Sequence, residues 1–228
     1  MYDIVFISYQ EPNADANWAR LRSRFPFAKR VHGVDGIHQA HIAGAKKCYT
    51  NMFWVVDGDA EIVDDFQFDY LPKDLDYVYV WRSINPVNGL QYGNGGVKLL
   101  PRTMTEEMDI TKPDMTTSIS SKFKPVFEVS NINAFNTDPF NTWKSAFREC
   151  CKLASKVIDR QKTDETEERL GAWCTLNETA PYGFYAYAGA LAGKEYGLSN
   201  KADIETLKMI NNFKWLKEQF NEYQRSVR

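Results

Sequence analysis

Asp57 and Asp59, separated by Gly58, follow the apolar run Phe53-Trp54-Val55-Val56. The run reads as a buried strand, so both carboxylates fall at its carboxyl end, where open α/β sheets place their ligands. Carboxylates at i and i+2 can converge on one hard divalent cation, Mg2+ or Mn2+. Such a cation keeps several waters and takes further oxygens from a substrate diphosphate. Gly58 is expected to let the backbone turn tightly and come close to that ligand. Asp-Gly is also a common turn dipeptide, so the motif alone is shared between a metal site and a surface turn.

Other residues can serve the same site. Asp35 and Gly36 follow a second short strand, where Asp35 can hold a nucleoside or merely turn the chain. His38 and His41 stand three apart on a predicted helix, with His41 expected to face a diphosphate and His38 the surface. Gly93-Asn94-Gly95-Gly96 precedes a strand rather than a helix, so it is not a dinucleotide fingerprint. Its Asn94, Gly95 and Gly96 can bring backbone amides to a ligand, or simply form a hairpin. Lys98 and Arg102 follow as phosphate-contact candidates. Farther on, Lys144, Arg148, Lys152, Lys156 and Arg160 recur every fourth residue and make a slowly rotating basic stripe. The stripe is either a solvated helix face or a sequence-blind contact with a nucleic-acid backbone.

The elements that must position these residues alternate in type. Strands are expected at 2–8, 28–31 and 53–56, with helices at 17–25 and 37–49 between them, an order that argues for a parallel sheet. Strands follow at 76–82, 97–100 and 126–129. Residues 103–124, rich in Thr, Ser, Met and Asp, read as an irregular loop or lid. From Asp138-Pro139, an N-cap with proline in the first turn, the chain turns helical. Helices are expected at 139–162, 164–174, 181–196 with Gly197 as the stop, and 203–223. This gives an α/β nucleotide-binding core at 1–138 and a helical C-terminal region at 139–228, packed on the core.

Composition bounds the partners. The 228 residues are 43% hydrophobic and 14% aromatic, enough for a substantial core, with some aromatics expected to line a cleft. The formal charge of −2 gives no global basic field, so a polyanion would need a local patch. The Met1-Tyr2-Asp3 start has no signal-peptide character, and no apolar run is long enough to span a bilayer. Cys48, Cys150, Cys151 and Cys174 lack metal-ligand spacing and read as reduced thiols of a cytoplasmic protein without membrane contact.

An α/β half carrying Asp-x-Asp after a strand resembles the GT-A class of sugar-nucleotide-dependent glycosyltransferases, over roughly residues 2–149. Four runs in order are similar to a group of small phage and bacterial glycosyltransferases. They are Gly36-Ile37-His38-Gln39-Ala40-His41, the segment Phe53 to Ile62, the segment Asn88 to Pro101, and Trp143 to Glu149. The resemblance implies a nucleoside-diphosphate sugar donor, favouring a UDP-sugar. It implies that Ser8 and Tyr9 hold the nucleobase, that Asp57 lies nearer the ribose, and that Asp59 lies nearer an Mn2+ or Mg2+ ion. The residues alone do not separate those two roles. A C-terminal histidine often completes the metal shell in this class. Here every histidine precedes residue 42, which leaves water or a carboxylate in that place. Some tailed-phage members are thought to modify hydroxymethylated cytosine in double-stranded DNA, and the resemblance extends that acceptor to this chain, acting in a bacterial host cell. Lys98, Arg102, Lys144, Arg148, Lys152 and Lys156 are then the expected DNA contacts. An inverting transfer needs a base on the acceptor hydroxyl, with Glu149 the first candidate and Glu128 and Asp138 the alternatives. Glu149 can instead pair with Arg148 or Lys152. A glycan or protein acceptor, and an inactive sugar-nucleotide-binding module, are the competing readings.

Overall fold

The computed structural model describes residues 1–93, 95–112, 114–156 and 163–227. The chain divides into two compact units, Met1–Asn85 with Gln91–Ala134, and Pro86–Leu90 with Phe135–Arg228.

The first unit runs β1 (Asp3–Ser8), α1 (Ala14–Arg24), β2 (Lys29–His32), α2 (Ile37–Lys46), β3 (Met52–Asp57), β4 (Ala60–Ile62), β5 (Val78–Ile84), β6 (Gln91–Tyr92), β7 (Val97–Pro101), α3 (Arg102–Glu106), α4 (Met115–Ile119) and β8 (Phe123–Asn133). Among the described residues the sheet order is β2-β1-β3-β7-β5-β8-β4, with β6 paired to β5. β1 is parallel to β2 and β3, as the strand–helix alternation predicts. β7 is inserted antiparallel between β3 and β5, which makes the sheet mixed.

β3 is a continuous apolar run because both of its faces are covered. Met52, Trp54 and Val56 enter one core with Ile4, Phe6, Leu21 of α1, Phe66, Phe68 and Trp81. Phe53 and Val55 enter the other, with Ala45 of α2, Met108, Met115 and Ile119. Burying one such side chain stabilises by about 1.5–3 kcal/mol. Trp54 and Trp81 pack at a centroid distance of 4.5 Å, and Phe66 and Phe68 close on Trp54, so these aromatics build the core. One expectation changes here. The segment expected to be a lid forms α3 and α4, and Met108, Met115 and Ile119 anchor it to the sheet.

The second unit holds α5 (Pro139–Ser155), α6 (Thr163–Trp173), α7 (Gly183–Ser199), α8 (Ile204–Lys208), a 3-10 turn (Met209–Asn211) and α9 (Phe213–Ser226). α5 ends earlier than expected: Lys156 takes a left-handed conformation, φ 58°. α7 runs through Gly197 to Ser199, because that glycine serves packing rather than termination. A β-carbon on Gly189, Gly193 or Gly197 would stand 2.3, 2.1 or 2.5 Å from the carbonyl oxygen of Trp143, Phe147 or Cys151. The expected single last helix breaks at Asn212, whose side chain accepts from Trp215 N at 3.1 Å and caps α9. Among the described residues no helix is long and apolar enough to cross a membrane. The fold is thus the expected α/β class, a mixed sheet covered by helices and followed by a helical C-terminal region.

Candidate active site

Three parallel strands bring their carboxyl ends to one edge of the sheet. Ile7 pairs with Asp57, and Ser8 pairs with His32. The reversed β7 begins where β3 ends, so the glycine-rich loop also arrives at this edge. Asp57 N donates to Gly96 O at 2.9 Å. Lys98 lies opposite Val55, on the same face of the sheet as Asp57. Its Nζ donates to Asp57 Oδ1 at 2.8 Å and Oδ2 at 2.9 Å, and also to Gly95 O. The Lys98 side chain is 3% exposed and that of Asp57 34%. Lys98, a candidate phosphate contact, is here the buried counter-ion of Asp57, because an inward position on β7 can hold an ammonium only with a charged partner.

Gly58 follows. It does not use a left-handed conformation; what it supplies is space. A β-carbon there would stand 2.7 Å from Glu11 Oε2 and 3.0 Å from Ser8 Cβ. Its carbonyl accepts from the buried Asn17 Nδ2 at 3.0 Å, which ties the acidic turn to α1. Glu11 Oε2 accepts from Tyr9 N at 2.7 Å. Glu11 therefore lies against the turn at Gly58, near enough for its charge to act on Asp57 and Asp59. Burial pushes the Asp59 carboxyl up to about 7, aided by the negative charges of Asp57 and Glu11. Burial also raises Asp57, and Lys98 pulls it partly back.

The remaining first-unit candidates scatter. Ser8 is buried and shares its hydroxyl with His32 Nδ1 (3.0 Å) and Arg30 Nε (3.1 Å). Tyr9 is half-buried, whereas Asp35 and Gly36 are exposed ahead of α2, with Gly36 at φ 88°. His41 is 2% exposed, with Nδ1 on Ile37 O at 2.7 Å. Burial and the Lys98 charge lower its pKa to about 3, so it is a neutral imidazole and not a cationic diphosphate ligand. His38 Nε2 reaches Ser118 Oγ at 3.1 Å. Gly95 has φ 87°, and Gly96 lies under Asn131, whose Nδ2 would meet a β-carbon there at 2.6 Å. Asn94 lies outside the described residues. Arg102 pairs with Glu106 at 2.7 Å and donates its backbone N–H to Asn51 O. That places it at the opposite end of β3, about 15 Å along the strand from Asp57. Glu128 is exposed, accepts from Trp81 Nε1 at 3.1 Å, and lies roughly 14 Å across the sheet from β3.

In the second unit Asp138 caps α5, accepting from Asn141 N at 2.9 Å. Burial works against its ionised form, but the hydrogen bonds from Asn141 and Thr137 outweigh it and hold the carboxyl below its usual range. An acid so engaged is a poor base. Glu149 is half-buried on α5. Part of the basic stripe is engaged within the second unit. Lys144 donates to Asn141 Oδ1 at 2.7 Å and lies over the Phe213 ring. Arg148 donates to Ile210 O at 2.9 Å and Asn211 Oδ1 at 3.0 Å, and Lys156 pairs with Glu167 at 2.7 Å. Lys152 is half-buried on α5. Arg160 and Lys162 lie outside the described residues.

The acidic turn suits a divalent cation in charge. Burial is the larger reason that the Asp59 carboxyl is raised, and the negative charges of Asp57 and Glu11 add to it. Among the described residues no three His, Cys, Asp or Glu side chains are grouped to hold a metal ion. A cation here would take its protein oxygens from Asp59 and Asp57 and complete its shell with water and substrate oxygens, the habit of Mg2+ and Mn2+. Sequence reasoning missed Glu11 and Asn17 as parts of this turn and Lys98 as its counter-ion. Glu11 left a signal, since it sits in the loop after β1, whose carboxyl end must share an edge with Asp57.

No protein-family model and no curated protein matches the chain. Among solved structures it is similar to a glycosyltransferase involved in the glycosylation of the major capsid of PBCV-1, at 12% identity and a TM-score of 0.35. That match covers 55% of this chain and 82% of the other. It is also similar to HddC from Yersinia pseudotuberculosis, at 15% identity and a TM-score of 0.40, covering 57% and 89%. Likenesses this distant and partial decide nothing about the chemistry.

Proposed function

We propose that the chain is a metal-dependent glycosyltransferase that uses a nucleoside-diphosphate sugar, with a UDP-sugar as the favoured donor. The observation that carries this reading is the acidic turn: Asp57 and Asp59 at the carboxyl end of β3, with burial and neighbouring carboxylates holding Asp59 up to about 7. A bound Mn2+ or Mg2+ supplies Lewis-acid neutralisation of the leaving diphosphate. The chain's own groups do the rest. Asp59 and Asp57 hold the cation. Gly95 and Gly96 bring the backbone close to the acidic turn, where the donor sugar sits. Tyr9, half-buried after β1, stacks on the base, and Asp35 and Gly36 flank the nucleoside. Of the candidate bases, Asp138 is spent on capping α5 and Glu128 is held by Trp81.

For the acceptor, hydroxymethylated cytosine in phage DNA follows from the resemblance of the four sequence runs. A duplex acceptor would also have to present the hydroxymethyl group, by extruding the base. One observation favours a second reading, a glycan or protein acceptor: Lys98 is buried on Asp57, and Arg148 is tied to Ile210 O and Asn211 Oδ1, so two of the expected cations are engaged within the protein. Mass spectrometry of hydroxymethylated duplex DNA after incubation with a panel of sugar nucleotides and Mn2+ tests the DNA reading. A hexose or pentose mass gain on the modified cytosine is expected. Donor consumption without any gain on DNA would move the acceptor to the second reading.

A further inference from the structure

We propose that Lys98 competes with the divalent cation for Asp57, so that the cation binds firmly only together with a diphosphate that takes over the ammonium. This rests on the donor-site reading above. An ammonium has three donors. Here two go to the Asp57 oxygens, at 2.8 and 2.9 Å, and one goes to Gly95 O. Both Asp57 oxygens are thus held from the protein side by a group that is itself 3% exposed, while the carboxylate keeps 34% of its surface open. A cation approaching that open side must weaken the hold of Lys98, and a buried ammonium deprived of its partner is costly.

The loop closes the other side. Gly95 stands at φ 87°, and a β-carbon on it would lie 3.5 Å from Lys98 Nζ, so the chain folds directly over the charge. The one unused acceptor identified on the α2 side, Nε2 of the buried neutral His41, is too weak a replacement for a carboxylate. Diphosphate oxygens are strong anionic acceptors and can replace Asp57 as the partner of the ammonium. Asp57 is then released to the cation. Cation and diphosphate therefore favour each other's binding, and linkage makes the effect reciprocal.

The test is Mn2+ binding to the full chain, read from the free-ion EPR signal with and without saturating UDP, in wild type, Lys98→Met and Lys98→Arg. In wild type UDP should tighten Mn2+ by about tenfold or more. Lys98→Met should bind Mn2+ alone about tenfold more tightly than wild type and lose most of the UDP effect, while Lys98→Arg should stay close to wild type. Equal Mn2+ affinity of folded wild type and Lys98→Met overturns the proposal and leaves the donor-site reading standing. Absence of Mn2+ binding in every protein, with and without UDP, overturns both. Should Lys98→Met not fold, a crystal of wild type with Mn2+ and UDP decides. Lys98 Nζ is expected beyond about 4 Å from both Asp57 oxygens, the outer limit of an ion pair. An ammonium still seated on Asp57 overturns the proposal.

Discussion

Gly193 of α7 lies against the Phe147 carbonyl of α5 so closely that a β-carbon on it would stand 2.1 Å from the oxygen. Two helix backbones meet there without side chains between them. Gly193→Ala must therefore push the helices apart or fail to fold. The expected loss is about 3 kcal/mol or more, at the upper end of overpacking costs. Gly171 is the control: it lies within α6, and no atom comes within 4 Å of a β-carbon placed on it. Gly171→Ala should gain about 0.5–1 kcal/mol. Urea unfolding of both variants checks the contrast.

Asp59 and His41 set opposing pH slopes. Asp59 rises from 3.8 to about 7 on folding, so between those values the folded chain holds the extra proton and stability falls as pH rises. His41 drops from 6.5 to about 3, so the unfolded chain holds the extra proton and stability rises with pH through the same window. Asp59→Asn removes one slope and keeps the other. Without metal the variant should exceed wild type in stability by on the order of 2–3 kcal/mol near neutral pH, with the gap shrinking towards about pH 4.5. Unfolding in EDTA at several pH values reads this directly. A gap independent of pH would show that Asp59 is an ordinary surface carboxylate.

Arg148 and Lys152 belong to one stripe but not to one role. Arg148 ties α5 to the turn before α9 through Ile210 O and Asn211 Oδ1, so Arg148→Ala should cost about 1–3 kcal/mol. Lys152→Ala should stay within about 0.5 kcal/mol, as surface changes do. If the chain binds duplex DNA, Lys152→Glu should weaken that binding and flatten its salt dependence without unfolding the protein. Thermal unfolding and a gel-shift series in rising salt separate the two effects.

Much of this architecture is legible in the residues themselves. Phe53 to Val56 announces a doubly covered strand, and the strand–helix alternation up to it announces parallel pairing. What the sequence conceals is tertiary. Lys98 sits in a short apolar strand that gives no hint of an antiparallel insertion beside β3, and only that insertion makes it the counter-ion of Asp57. Gly197 reads as a helix stop because local chemistry favours it there, while the neighbouring helix demands it for space. Met108, Met115 and Ile119 are too widely spaced within polar surroundings to predict a packed segment. The acidic turn was visible from Asp57 and Asp59, but Glu11, which packs against Gly58, comes from another loop.

Gly58 offers a sharper test of the turn. A methyl group there meets Glu11 Oε2 at 2.7 Å and must push the Glu11 side chain off the turn. Gly58→Ala should leave the fold cooperative, at a loss of about 1–2 kcal/mol, while weakening Mn2+ binding by about tenfold. Calorimetric titration with Mn2+ and a thermal melt of the same sample check both halves.

The central claim is that the Asp57-Gly58-Asp59 turn holds a divalent cation against the diphosphate of a sugar nucleotide. Release of UDP from a UDP-sugar, with Mn2+, with Mg2+ and with EDTA, in wild type and Asp59→Ala, tests it most directly. The account predicts turnover that requires one of the two metals and falls about 100-fold or more in the variant. Turnover with neither metal across a donor panel, or an Asp59→Ala protein as active as wild type, would contradict it.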